Sequence, residues 1–357
     1  MEKRINSTYS CEIIKKFPLI TIIHQKDQDG TLWATSGRTI FYNKDGHWQH
    51  FARFPFCFPR DMFAFSRPTS RALRSDKCNL YINSHGKIMG IRGGSVFALE
   101  ADKPPRFIFN IQGDCVLHRG ISEDDDGWSY FGEYYMNPLR SAVRIWRVSP
   151  ELTTWEIAHQ FGQKEIRHVH SVTRDPFEKE TFWVTVGDYR GECYLLKSDD
   201  RFQNIQRFGD GSQNWRAVNL FFTPTHICWL TDSNLQRNHA CCMARRNGKL
   251  EIGHEIDNSS WYGCTTQESI HVAFTTVERG PAITSNFSDI LVSHDAFHWQ
   301  KVFSFKKDFF RPMRLFKYGV ITCPSGLMSL EELTISGEGL VGLDGKSLQV
   351  KITRAGD

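Results

Sequence analysis

The chain has 357 residues, 13% of them aromatic and 24% charged, with a formal net charge of +4. Such a composition excludes a disordered or low-complexity chain, and the charge is too small to point by itself to nucleic acid or a membrane surface. No apolar run approaches the ~20 residues of a membrane span. The opening MEKRINSTYSCEIIKKF has no continuous apolar segment behind its charges, so no signal peptide is read there. The ten cysteines form no C-x-x-C pair and no zinc-finger spacing. They are read as reduced thiols, and the protein as cytoplasmic.

In chain order, CEIIKKF (11–17) reads as a lone strand. LITIIHQ, TLWATSG, RTIFYNK and HWQHFARF follow as four short runs within 19–54. The stretch from Arg60 to Lys77 is irregular and basic, and reads as a solvated loop. Next come NLYIN, KIMGIR, SVFALE and RFIFNI (79–111), then CVLHRGI, WSYFGEY, AVRIWRV and TWEIAHQF (115–161). A fourth group spans 167–208. A fifth is WRAVNLFF, HICWLTD, ACCMARR and KLEIGHEI, and a sixth is WYGCT, SIHVAFTTVE, DILVSHD and HWQKVFSF. The last is MRLFKYG, VITCP, EGLVGLD and SLQVKI (313–352).

β-rich runs separated by turn residues predict antiparallel strands, and no long 3.6-residue period competes. Seven groups of four, at a period of about 45–50 residues, predict one all-β propeller of four-stranded antiparallel blades. The blades fall at about 17–54, 79–112, 113–162, 163–210, 211–256, 257–305 and 306–353. The irregular join between the first two leaves six or eight blades open.

The period can be followed on particular residues. Ser149-Pro-Glu151-Leu-Thr-Thr-Trp155 and Ser293-His-Asp295-Ala-Phe-His-Trp299 share S-x-[DE]-x-x-x-W, each between the third and fourth runs of its group. Ser198-Asp199-Asp200 and Asn43-Lys-Asp45-Gly-His-Trp48 hold the same place in degenerate form. The pattern resembles the Asp-box (S-x-D-x-G-x-x-W) of sialidase-like β-propellers. That resemblance implies a structural turn, whose hydroxyl and carboxylate satisfy backbone N–H groups and whose Trp packs between blades. It also implies a central pocket on the face opposite these turns, where first strands begin and second strands end.

Those positions are chemically distinctive. Second strands end at Glu133, Asp188, Asp232 and Glu278. First strands begin with His168 and His170, with Trp215 and Arg216, with Trp261 and Tyr262, and with Arg311 and Arg314. Arg74 precedes the second group, and Asn137 and Arg140 follow the second strand of the third. Carboxylates supply acid, base or nucleophile; arginine forks bind anionic groups; aromatic rings pack on sugar faces. Glu133, His168, His170, Asp188, Tyr262 and Glu278 are therefore the candidate catalytic residues. Arg74, Asn137, Arg140, Trp215, Arg216, Asp232 and Arg314 are the candidate substrate-binding ones. An ion pair with an acid of a neighbouring blade is the alternative reading of Arg216.

His168 and His170 alternate about Val169 and so share one face of a strand. No third ligand accompanies them in sequence, so no metal is expected. No phosphate-binding or dinucleotide fingerprint and no G-x-S-x-G elbow is present, so no cofactor is expected. The resulting expectation is a sialidase-like hydrolase acting on an acidic oligosaccharide or polysaccharide. In sialidases a Tyr–Glu pair supplies the nucleophile, a role that the resemblance carries to Tyr262 and Glu278. A polysaccharide lyase using His, Tyr and Arg is the first alternative, and a glycan- or protein-binding propeller the second.

Overall fold

The computed structural model describes residues 9–310 and 312–354. These build seven four-stranded antiparallel sheets arranged as the blades of a β-propeller. Six blades are continuous in sequence. Blade two runs Asn79–Ile82, Ile88–Arg92, Ser95–Leu99 and Arg106–Asn110, and blade four Val169–Arg174, Phe182–Val186, Cys193–Ser198 and Gln206–Gly211.

Blade seven corrects the expectation. Its first three strands are Val320–Thr322, Leu333–Glu338 and Lys346–Arg354, and its fourth is the N-terminal Tyr9–Phe17. That strand pairs antiparallel with Lys346–Arg354, from Tyr9 opposite Arg354 to Phe17 opposite Ser347. The first and last described strands thus close the ring through backbone hydrogen bonds, with Tyr9–Phe17 as the outer strand of its blade. Met313–Phe316, read as a strand, is a short helix, and 339–344 is a turn. Arg311 lies outside the described residues.

Burial within a blade explains the local sequence. Second strands are sandwiched on both faces, so Phe182–Val186 and Ile88–Arg92 are buried at every position. Fourth strands are outermost, so Trp155–Phe161 carries mostly exposed and half-exposed residues. The hydrophobic clusters lie between blades. One joins Tyr130, Val143 and Ile145 of blade three to Val169, Val172, Phe182 and Val184 of blade four. Another joins Ile40 and Phe54 to Leu80, Ile82 and Ile88.

The recurrent turns serve this packing. Trp48, Trp155 and Trp299 lie 5.7, 5.4 and 5.0 Å from the rings of Phe17, Phe109 and Phe221, each in the preceding blade. The Ser149 hydroxyl accepts from the Thr153 and Thr154 N–H groups, and Asp295 accepts from those of Phe297 and His298. Those carboxylate and hydroxyl groups are consumed by their own turns.

The segment from Arg60 to Lys77 is a second correction, because most of its cations are built into the fold. Arg60 pairs bidentately with Asp114, at 2.9 and 2.8 Å. Arg67 bridges Asp76 and Asp344, and the fully buried Arg71 meets Asp308. A helix, Arg67–Leu73, begins at a Ser66 cap and ties the join between blades one and two to blade seven. A third correction concerns the cysteines. Cys228 and Cys242 oppose each other directly on adjacent strands of blade five, with Cα atoms 4.0 Å apart, and are joined as a disulfide. The other eight are free. No helix among the described residues is long and apolar enough to cross a membrane.

Candidate functional site

First strands furnish the wall of the central channel, and several of them bulge at the residue that faces it. The pairing register slips between Ile23 and Gln25, between Val169 and Ser171, and between Ser260 and Tyr262. The extra residues are His24, His170 and Trp261. A bulge re-aims a side chain out of the ladder while its neighbours stay paired. Here it turns His170 and Trp261 into a cavity of about 580 Å³.

His168, His170, Asp188, Arg216, Asp232, Tyr262, Glu278 and Arg74 all line this cavity. They come from blades four, five and six and from the segment before blade two. Asp188 is its electrostatic hub. Arg167 Nη1 lies 2.5 Å from one of its oxygens, and Arg216 Nη2 lies 3.1 Å from the other. His168 and His170 Nε2 approach it at 3.3 and 3.2 Å. Burial disfavours the Asp188 charge, but its polar contacts and the fixed charge of Arg216 outweigh it. They hold the carboxyl well below its ordinary range.

Asp232 and Glu278 are shifted the other way. Burial, then repulsion from Asp232, pushes Glu278 up to about 8, against the Ser259 hydroxyl and the charge of Arg216. Burial also raises Asp232, against Arg216 at 3.2 Å and the Trp261 indole N–H at 2.6 Å. The cavity therefore combines carboxyl groups held in opposite protonation states, an arrangement suited to acid–base chemistry.

Arg216 is engaged by Asp188 and Asp232 at once, so the ion-pair alternative is what the structure contains. The cations without a carboxylate partner among the described residues are others. Arg74, Lys77 and Lys317 line the cavity and its adjoining recess from the side of blades two and seven. Burial, then Arg74 and Lys77, pushes Lys317 down to about 8. Arg74 holds a left-handed backbone (φ 58°) at the end of the Arg67–Leu73 helix, unusual for a side chain with a Cβ.

Five sequence candidates lie off the cavity wall. The Glu133 carboxylate is fully buried and accepts from Gln112 N–H, Arg144 N–H and the Trp146 indole at 3.0, 3.0 and 3.1 Å. Asn137 donates to the Ser141 and Arg167 carbonyls, and so braces the approach to His168. Arg140 forks onto Glu192 at 3.0 and 3.1 Å over the Tyr189 ring. Trp215 packs on Trp229 in the core between blades four and five. Arg314 is exposed on the short helix before blade seven. Tyr262 stands beside His118, and Glu278 receives the Ser259 hydroxyl; no hydrogen bond between Tyr262 and Glu278 is found among the described residues.

The sequence reading passed over Tyr134, His118, Arg167, Lys77, Lys317 and Tyr318, all on these walls. Tyr134 had a signal. It directly follows Glu133, and successive strand residues face opposite ways. Its ring centroid lies 4.4 Å from that of His168.

No protein-family model matches this sequence, and no curated protein does. Solved structures do resemble the fold. The extracellular domain of a putative one-component system from B. thetaiotaomicron superposes with a TM-score of 0.53 at 11% identity, over 95% of this chain and 39% of that one. This chain thus spans well under half of that protein's length. YCF48 bound to a D1 peptide superposes with a TM-score of 0.51 at 10% identity, over 97% and 98% of the two chains. At such identities the likeness establishes the seven-bladed propeller and nothing about activity.

Proposed function

We propose that the protein is an enzyme that hydrolyses an acidic saccharide in the central cavity. One observation carries this reading. Cations with no carboxylate partner among the described residues (Arg74, Lys77) and a buried carboxyl cluster (Asp188, Asp232, Glu278) line a single cavity, with Lys317 in the recess that adjoins it. The cations suit a sugar carboxylate, and Trp261, Tyr262 and Tyr318 offer rings for a sugar face. Glu278, held protonated, is the general acid, and Asp232 is the carboxyl positioned to serve with it. The turn pattern shared with sialidase-like propellers supports the same class, without the Tyr–Glu nucleophile of that family.

A second reading, β-elimination on a uronate, is favoured by the Tyr134 ring against His168. One assay separates the readings. Acidic oligosaccharides are incubated with the protein, and reducing ends are followed together with the ultraviolet absorbance of unsaturated uronates. Hydrolysis produces reducing ends alone, and elimination adds the absorbance. Glycan binding with neither product leaves a non-catalytic binding propeller. For a general acid near 8, activity falls as pH rises through about 8. Glu278→Gln removes that limb and lowers the rate by about 10²–10⁴-fold.

A further inference from the structure

His168, His170 and Asp188 do more than line the cavity. One ligand-capable atom from each lies within 4.8 Å of the others. The separations are 3.0 Å between the two Nε2 atoms, 3.2 Å from His170 Nε2 to Asp188 Oδ1 and 3.3 Å from His168 Nε2 to Asp188 Oδ2. All three residues are buried.

Proton placement is fixed from outside the triad. His168 Nδ1 lies 2.9 Å from the Tyr135 carbonyl, and His170 Nδ1 lies 2.8 Å from the Ala217 carbonyl. A carbonyl only accepts, so each Nδ1 carries a hydrogen, and a ring with no second hydrogen presents a bare lone pair at Nε2. A carboxylate is likewise acceptor-only. With the Nδ1 hydrogens alone, two imidazole lone pairs and a carboxylate converge at 3.0–3.3 Å with no hydrogen between them.

One added proton does not resolve this. Placed on His170 Nε2, it serves His168 Nε2 or Asp188 Oδ1, and the contact from His168 Nε2 to Asp188 Oδ2 still opposes lone pairs. Two added protons oppose two N–H groups across 3.0 Å. A single cation held between the two Nε2 atoms and the carboxylate, out of the plane they define, satisfies both lone pairs and the negative charge. Ligands about 2.0–2.1 Å from a tetrahedral metal stand about 3.3 Å apart, and around an octahedral one about 3.0 Å apart. The Nε2–Nε2 edge of 3.0 Å lies in that interval, and each ring has an Asp188 oxygen at 3.2–3.3 Å.

We propose that His168 Nε2, His170 Nε2 and Asp188 bind a divalent first-row transition-metal ion. Imidazole nitrogen selects such ions over magnesium or calcium, which prefer all-oxygen shells. The backbone carbonyls of Tyr135 and Ala217 are the outer partners that fix each ring's tautomer and direction, as metal-bound histidines require. Arg167 and Arg216 take one lone pair on each Asp188 oxygen and leave the other free. Arg216 is itself shared with Asp232, which moderates its charge. Because all three ligands line the cavity, the remaining coordination positions face it. The site stands whether or not the cavity takes a saccharide.

The test uses the full chain. Protein stripped with a chelator is titrated calorimetrically with zinc, manganese and cobalt(II), with visible absorption recorded for cobalt. The expected result is one equivalent bound, with a cobalt spectrum typical of mixed nitrogen and oxygen ligands. His170→Ala and Asp188→Asn lower the affinity by about a hundredfold or more. His118→Ala, which removes a cavity histidine outside the triad, leaves it within about threefold. Should a triad variant fail to fold, the wild-type cobalt spectrum and the rise in Tm with metal decide alone. Absence of stoichiometric binding in the wild type, or binding that survives His170→Ala, overturns the proposal.

Discussion

The second strands of blades three and four end in the same way, on an acidic residue at the channel mouth, yet the two acids do different things. Glu133 continues its strand: its N–H bonds the Arg144 carbonyl at 3.0 Å, and its own carbonyl receives the N–H of Val169. Its side chain then turns into the blade and closes off three donors. Asp188 comes one residue after Gly187, whose φ of +85° breaks the strand and swings the next side chain into the cavity. Glu192 holds this turn by accepting from the Asp188 and Tyr189 N–H groups, while Gln213 grips the Asp188 carbonyl. An acid at a strand end thus becomes a pocket group only where the backbone leaves the ladder.

The largest expected effect comes from removing that departure. A Cβ on Gly187 would sit 1.9 Å from the Glu192 carbonyl oxygen, a backbone atom that cannot step aside. Gly187→Ala combines this clash with a left-handed backbone, and should cost at least about 3 kcal/mol. Chemical denaturation should show a lower midpoint, and any variant that still folds should bind metal and ligand poorly. A neutral result would mean that the turn does not set the Asp188 direction.

Glu133 is the opposite probe. Glu133→Ala strands buried donors on Gln112, Arg144 and Trp146, and should cost about 2–3 kcal/mol. Ligand and metal affinity measured well below Tm should stay within about twofold of wild type. A selective loss of affinity at unchanged stability would place Glu133 back in the site and erase the contrast between the blades.

These two residues also show what a sequence discloses here and what it withholds. Blade period, strand count and the turn opposite the pocket are local patterns, so they can be read from FWVTV, from SHDAFHW and from their spacing. The convergence of Asp188, Arg216, Asp232 and Glu278 follows from that register. Glu133 does not follow from it, because a single residue of phase decides whether it or Tyr134 faces the channel. Blade seven fails for another reason: the partner of Lys346–Arg354 lies at the other end of the chain. The arginines between Arg60 and Lys77 fail likewise. Asp114, Asp308 and Asp344, which neutralise Arg60, Arg71 and Arg67, are distant in sequence. Only the remainder of that segment, Arg74 and Lys77, stays available to a ligand.

Arg74 offers the smallest and most discriminating test of that remainder. It stands at a helix C-terminus in the left-handed region, where glycine is the residue favoured by backbone sterics. Its side chain is exposed and has no carboxylate partner among the described residues. If the position served stability alone, glycine would be the better choice. Arg74→Gly should therefore leave stability unchanged or raise it by up to about 1 kcal/mol. Affinity for an anionic saccharide should fall about tenfold, with a shallower salt dependence. Isothermal titration at two ionic strengths, set beside a thermal melt, reads both quantities. A variant that gains stability and loses ligand shows that the strained arginine is retained for its charge in the cavity. A variant that keeps its affinity assigns the cationic wall to Lys77, with Lys317 in the adjoining recess.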